Sequence, residues 1–226
     1  MQWNCQGLRA KYEELKLLIQ EYSPIAISLQ ETKLDSYTPC PREYSYFRTE
    51  YDPAVGCHGG CLLYVRRDIP HLPLVINTPL QAVAIQIGLK RQYCICSLYL
   101  PPNNPVSVED VKGLLRQLPK PYIILGDVNA RHPLWGDLVT DQKGNVIASI
   151  IEDEDLGIMN TGEPTHYHIQ TGSLSCIDLS FCSSDCLMDF QWRVDDDLRG
   201  SDHFPTFNSS SITPMVLRKS KLASFF

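Results

Sequence analysis

Three apolar runs in this chain carry an acid at or near one end. Ile25-Ala26-Ile27-Ser28-Leu29-Gln30 leads into Glu31, and Tyr122-Ile123-Ile124-Leu125-Gly126 leads into Asp127. The run that starts near Cys176 carries Asp178. Short apolar runs of this kind read as buried strands. A carboxylate at the end of such a strand is costly to bury unless it is paired or holds a metal. The fold must therefore gather strand ends where charge can be matched. In layered α/β proteins, loops leaving strand ends are where sites are built.

The remaining pattern alternates strands with helices. Met1 to Asn4 reads as the end of a strand. Tyr12, Leu15, Leu18, Ile19 and Tyr22 recur at helical spacing, which predicts a helix from Ala10 to Tyr22 that Pro24 breaks. A Tyr- and Pro-rich loop is expected from Thr32 to about Asp52, then a strand from Gly59 to Val65. Val83, Ile85 and Ile87 alternate, and Gln92 to Leu100 returns after Lys90-Arg91, so these two form a hairpin. Ser107 opens a helix whose apolar face is Val108, Val111, Leu114, Leu115 and Leu118. Val146, Ile147, Ile150 and Ile151 mark a short helix from Gly144 to Glu154. Further strands are expected at Cys176 to Cys182 and Phe204 to Phe207. Strands with intervening helices and a hairpin imply a mixed α/β layered domain.

Charge narrows the function. Twenty basic residues against 26 acidic ones give a net charge of −6, whereas proteins that grip nucleic acid by charge alone are basic. A polyanion site here must be a local patch or be assisted by a metal. No apolar stretch suits a membrane span, and the N-terminus has no secretory pattern. The nine cysteines are odd in number. A reduced intracellular compartment, nuclear or cytoplasmic, is therefore expected rather than a disulfide framework. Cys57 with Cys61, and Cys182 with Cys186, lack the tight knuckle spacing of a zinc site and are read as buried or idle thiols.

Taken singly, each candidate has a bland reading. Glu31 could be a solvated rim residue, Asp127 part of a turn, Asp178 a loop cap, and Asp202-His203 a surface pair. Asn4 and Asn129 could be ordinary turn residues. Asp195-Asp196-Asp197 reads as a solvated loop and Trp135 as a packing anchor. Their order changes the weighing. Asn4 comes first, then Leu29-Gln30-Glu31-Thr32, then Tyr99-Leu100-Pro101-Pro102. Gly126-Asp127-Val128-Asn129-Ala130 follows, then Thr165 ahead of Asp178, and finally Ser201-Asp202-His203.

That series resembles the endonuclease/exonuclease/phosphatase superfamily, metal-dependent phosphoesterases that include apurinic/apyrimidinic endonucleases and deoxyribonuclease I. Trp3-Asn4-Cys5-Gln6-Gly7-Leu8 and the segment Gly126 to Gly136 further resemble the endonuclease domain of jockey-type non-LTR retrotransposons. The resemblance covers residues 1–207. It implies a four-layer α/β sandwich with two packed mixed β-sheets. It also implies a nuclease that nicks one strand of double-stranded DNA, leaving a 3′-hydroxyl that would prime reverse transcription. The alternatives are an abasic-site repair endonuclease and an inactive retroelement remnant.

The resemblance also assigns roles. Glu31 would be the main ligand of Mg²⁺ (Mn²⁺ as the alternative), with Asn4 beside it and Asp202 as a further metal contact. Asp127 would act on the water or on the leaving oxygen. Asn129 and Tyr99 would donate to the phosphate, and His203 would donate to it or carry a proton. Asp178 would hold the His203 ring. Thr165 would be a support residue near the DNA, and Arg131 a phosphate contact. His132, His166 and His168 are read as loop residues or phosphate contacts, not ligands. Arg9, Lys11, Arg66, Arg67 and Arg199 complete a sparse basic set, so DNA binding should be weak and salt-sensitive. A monomer is expected, with no reverse-transcriptase sequence in the chain. Only Met1, Gln2 and Trp3 precede Asn4, and the last strand should dissolve after Phe207 into an irregular tail, 208–226. A domain truncated at both ends is thus expected.

Overall fold

The computed structural model describes residues 1–49 and 59–210. Its elements begin with β1 (Gln2–Asn4), α1 (Leu8–Tyr22), β2 (Ala26–Gln30), β3 (Tyr44–Arg48) and β4 (Leu62–Arg66). Next come β5 (His71–Leu74), β6 (Gln81–Gly88), β7 (Gln92–Tyr99), α2 (Val108–Leu115), β8 (Tyr122–Asp127) and α3 (Gln142–Asp153). The chain continues through β9 (Leu156–Ile158), β10 (His166–His168), β11 (Ser173–Ser175), β12 (Asp178–Ser183), β13 (Gln191–Val194) and β14 (Thr206–Ser209).

Two six-stranded sheets result, ordered β13-β14-β1-β2-β4-β3 and β5-β6-β7-β8-β12-β9, with β10 and β11 as a separate hairpin. Each sheet is mixed. β1 and β2 run parallel in the first, β7 and β8 in the second, and their neighbours pair antiparallel. Alternation along the strands sorts the side chains into layers. Ile27 and Leu29 pack outward on Leu8, Leu15 and Leu18 around α1. Ala26, Ile123 and Leu125 fill the space between the sheets. Leu98 and Ile124 face the opposite way, onto Val111 and Leu114 of α2 and Ile147 and Ile150 of α3. The order helix, sheet, sheet, helices is the four-layer sandwich that the family resemblance implies. No helix among the described residues is long and apolar enough to cross a membrane.

Several boundaries differ from the sequence reading. The loop expected from Thr32 contains β3, which pairs with β4 along its length. β5 carries Pro73 and lies at the edge of its sheet, hydrogen-bonded to β6, a position where a missing N–H costs little. α3 starts at Gln142 because Asp141 caps it, accepting from the Gly144 amide. The last strand does not dissolve after Phe207. Asn208 and Ser209 continue β14 and pair with Trp192 and Gln191 of β13. Residues 211–226 of the expected tail lie outside the described residues. Asp195 is also not solvated. It is buried and holds Arg199 at 3.2 Å. Cys182 and Cys186 are buried in the inter-sheet core, and Cys57 lies outside the described residues.

Gly126 precedes Asp127 where β8 approaches β7 closely. A Cβ there would lie 2.7 Å from the Leu98 carbonyl oxygen, so any side chain forces the strands apart. Gly126→Ala is expected to destabilise the domain by about 1–3 kcal/mol, the usual cost of overpacking. Urea unfolding measures this, and unchanged stability would show that the strands yield freely.

Candidate active site

Strand register builds the site. Tyr99 of β7, Asp127 of β8 and Asp178 of β12 are direct neighbours across one end of the second sheet. In the first sheet Asn4 of β1 stands beside Gln30 of β2, and Glu31 follows immediately. The polar ends of four strands and the Glu31 turn therefore meet at one edge of the sandwich.

Asn4 joins the two sheets. Its Nδ2 donates to Asp127 Oδ2 at 2.8 Å and to Glu31 Oε1 at 3.2 Å, and lies 3.4 Å from His203 Nε2. Its Oδ1 accepts from the Gln6 amide at 3.1 Å, which fixes the amide's orientation. Tyr99 donates its hydroxyl to Glu31 Oε1 at 3.1 Å, and Lys33 pairs with Glu31 Oε2 at 2.9 Å. Asn129 donates its backbone N–H to Asp127 Oδ1 at 3.0 Å and its side-chain Nδ2 to the Leu100 carbonyl at 3.3 Å.

The C-terminal motif is pinned to the first strand. Trp3 Nε1 donates to the His203 carbonyl at 3.0 Å, and Ser201 Oγ to the Asn4 carbonyl at 2.8 Å. This places His203 Nδ1 2.8 Å from Asp178 Oδ2, and its Nε2 3.7 Å from Asp202 Oδ1. Gln6 Nε2 donates to Asp202 Oδ2 at 2.7 Å.

Burial and charge set the protonation states. Asp127 is fully enclosed, and burial pushes its carboxyl up to about 7; the His203 charge opposes that rise, and Asp178 adds to it. Burial works against the His203 cation, but Asp178, with help from Asp127 and Asp202, raises its imidazole to about 9. Glu31 is also desolvated, yet Lys33, Asn4 and Tyr99 together hold it below the usual carboxylate range. Asp202 is likewise kept low, the His166 and His203 contacts outweighing burial. Burial and the nearby Glu31 and Asp127 charges raise the Tyr99 phenol, so it stays a neutral donor.

A hard divalent cation takes oxygen ligands. Glu31 fits that role, since its cationic partner among the described residues, Lys33, has a side chain 41% exposed to solvent. Asp202 Oδ1 is buried without a hydrogen-bond partner, an oxygen that a cation or its water would satisfy. Asn4 differs from the expected ligand. Its oxygen is turned to Gln6 and nitrogen faces the acids, so it fits as the donor that links Glu31 to Asp127.

The structure brings together Asn4, Glu31, Tyr99, Asp127, Asn129, Asp178, Asp202 and His203. It treats Thr165 and Arg131 differently. Thr165 is fully buried, and its hydroxyl accepts from the Ile177 and Asp178 amides at 3.2 and 3.0 Å, so it steadies the Asp178 strand from inside. The Arg131 guanidinium grips buried Asp137 at 3.0 Å. Arg9, Arg66 and Arg199 are likewise paired with acids. His132 accepts from the Leu134 amide and stacks on Trp135, and His168 bonds Thr171; neither bond reaches the cluster. His166 does reach it, 3.7 Å from Asp202. Gln6, Lys33 and the Trp3 indole were missed by sequence reasoning. Trp3 and Gln6 stand within the first motif and Lys33 follows Glu31, but only β1 itself and the turns after β1 and β2 bring these side chains to the cluster.

A family model described as endonuclease-reverse transcriptase matches residues 93–207, half of the chain. The chain is 25% identical over 173 residues to a probable RNA-directed DNA polymerase from the transposon X-element of Drosophila melanogaster. That alignment covers 73% of this chain and 19% of the relative. It is 27% identical over 173 residues to the RNA-directed DNA polymerase from the mobile element jockey of the same species, covering 73% and 18%. The chain thus spans about a fifth of the length of these relatives. Among solved structures, the endonuclease domain of TRAS1, a telomere-specific non-LTR retrotransposon, superposes with a TM-score of 0.77 at 24% identity, covering 96% of this chain and 98% of that one. The AP endonuclease LMAP from Leishmania major gives a TM-score of 0.73 at 11% identity, covering 91% and 85%. These two likenesses show a shared fold.

The Asp178–His203 contact makes a direct prediction. Asp178→Asn removes the main charge that raises the His203 imidazole. NMR titration of the ring is expected to show its pKa falling from about 9 by more than one unit. An unmoved titration would mean that Asp178 does not govern the ring.

Proposed function

Because the chain belongs to the endonuclease-reverse transcriptase family, we propose that it is a divalent-metal-dependent endonuclease that nicks one strand of double-stranded DNA. The observation that carries this reading is the Asn4 amide, which ties Glu31, a carboxylate suited to a hard cation, to an enclosed acid poised near neutrality, Asp127. Phosphodiester hydrolysis asks for those two functions side by side: charge neutralisation and a proton acceptor.

Glu31, with Asp202 beside it, would hold the cation, Mg²⁺ in this reading. When bound, the ion supplies charge neutralisation at the phosphoryl and leaving oxygens. Tyr99 and Asn4 aim the Glu31 carboxylate by donating to the same oxygen. Asp127 receives N–H donors on both oxygens, from Asn4 and Asn129, so its carboxylate is held as an acceptor. In that state it takes a proton from the attacking water as the new P–O bond forms. The His203 imidazolium donates through Nε2 to a non-bridging phosphoryl oxygen, and Asp178 keeps the ring charged and aligned. Asn129 has a second amide hydrogen to offer the same group. The bond from phosphorus to the 3′ oxygen breaks, and that oxygen takes a proton from solvent. One fragment carries a 3′-hydroxyl and the other a 5′-phosphate.

Nicking of supercoiled plasmid tests the proposal. Relaxation is expected with Mg²⁺, and its loss with EDTA or in Glu31→Ala. Asp202→Ala and His203→Ala should each slow nicking by roughly 10²–10⁴-fold, measured below the melting temperature of each variant. Wild-type rates from either variant would remove that residue from the mechanism. The rate should rise through about pH 7 as Asp127 ionises and fall above about 9 as His203 loses its proton. Asp178→Asn should move the alkaline limb downward through His203, and the acid limb downward as well, because the Asp178 charge also raises Asp127. A parallel assay on an abasic duplex distinguishes a repair specificity, which preferential cleavage there would establish instead.

A further inference from the structure

His166 was left unused by the proposed chemistry, yet it sits against it. Its ring centroid lies 4.6 Å from that of His203, and its Nε2 is 3.7 Å from Asp202 Oδ2. The His203 Nε2 approaches the other oxygen of the same carboxylate, Oδ1, also at 3.7 Å. In both rings the far nitrogen is already engaged. His203 Nδ1 is held by Asp178, and His166 Nδ1 lies 3.1 Å from Ser175 Oγ. Metal-binding histidines show this arrangement, with Nδ1 held by an outer partner and Nε2 left to bind.

The backbone makes the cluster rigid. His166 and His203 form a β-bridge, the Tyr167 amide donates to the Asp202 carbonyl at 2.8 Å, and the Phe204 amide donates to the Thr165 carbonyl at 2.8 Å. Asp202 Oδ1 is buried and accepts no hydrogen bond from the described residues. Ligands of a tetrahedral zinc ion lie roughly 3.3 Å apart, given metal–ligand bonds of about 2.0–2.1 Å. One ligand atom from each of the three residues lies within 4.8 Å of the others, and each imidazole faces its own Asp202 oxygen at 3.7 Å, so a turn of the carboxylate and an inward movement of the rings by about 1 Å would bring the set to that spacing.

We propose that His166, Asp202 and His203 form a binding site for a borderline transition-metal ion, Zn²⁺ above all, and that its occupancy switches off the neighbouring site. Two imidazole nitrogens and one carboxylate suit Zn²⁺ or Co²⁺, whereas Mg²⁺ demands oxygen and competes poorly there. An ion on the Nε2 of His203 takes the lone pair that would otherwise carry the proton donated to the phosphoryl oxygen. It also takes Asp202 away from Glu31's cation. The inhibition rests on the endonuclease reading; the binding does not.

Titration with Co²⁺, followed by its visible d–d absorption, tests the binding. One equivalent should bind without thiolate charge-transfer bands, and millimolar Mg²⁺ should not displace it. His166→Asn should weaken Co²⁺ binding by at least ~10-fold, and Ser175→Ala by less, through loss of the outer partner. In plasmid nicking at fixed Mg²⁺, the ratio of rates with and without Zn²⁺ should fall for wild type and stay near one for His166→Asn. Co²⁺ binding that both variants leave unchanged, or that shows thiolate bands, would overturn the proposal. If wild type fails to nick while His166→Asn loses Co²⁺, the metal site stands and the endonuclease reading falls. If wild type nicks but binds no Co²⁺, the metal site alone falls.

Discussion

A carboxylate that water cannot reach must be answered by the protein around it. Asp127 and Asp178 are both enclosed, and they stand opposite one another in the β8–β12 register. Two neighbouring buried anions repel, and burial penalises each. The His203 imidazolium balances them, with Nδ1 on Asp178 and its charge felt by Asp127. That requirement organises much of the domain. The last motif of the chain has to be carried back to the first strand, where the Trp3 indole and Ser201 hydroxyl fix it and β14 pairs with β1.

Backbone conformation sharpens the same site. Gln6, Glu31, Lys33 and Asn129 all adopt left-handed φ angles between 47° and 48°, a region that ordinary side chains avoid. Such positions persist only where their surroundings fix them. Here the turns after β1 and β2 hold each other: Gly7 N–H donates to the Glu31 carbonyl at 2.8 Å, and Leu8 N–H to the Thr32 carbonyl at 3.0 Å. Between the sheets, Gln30 and Ser97 add a buried polar clasp, Nε2 to Oγ at 3.0 Å. Glu31 and Asp127 are thus set relative to each other by the scaffold before any ligand arrives.

The sequence made legible the strands that are buried and the acids at their ends. Tyr122–Asp127 and the Gln81–Tyr99 hairpin show plainly because both faces, or one strict alternation, are apolar. β3, β5, β9, β10, β11 and β13 escaped notice because they are short and lie at sheet edges or in the hairpin outside, where neither pattern is enforced. β14 was cut short because Asn208 and Ser209 look like loop, although backbone pairing with β13 is indifferent to side-chain type. Among site residues, the acids and His203 were found by order and resemblance. Thr165 and Arg131 lie close to the motifs in sequence but face buried partners, Asp178's amide and Asp137. Which way a side chain turns depends on its partners in space, and no spacing rule carries that.

Asn4 and His203 come from opposite ends of the chain, yet their side chains lie 3.4 Å apart. Contacts of such wide sequence separation form late and slowly. During translation the ribosome releases Asn4, Glu31 and Asp127 long before the imidazole that balances them. A nascent polypeptide therefore holds its acids without their counter-charge, and the assembled cluster exists only once synthesis of the domain is nearly complete.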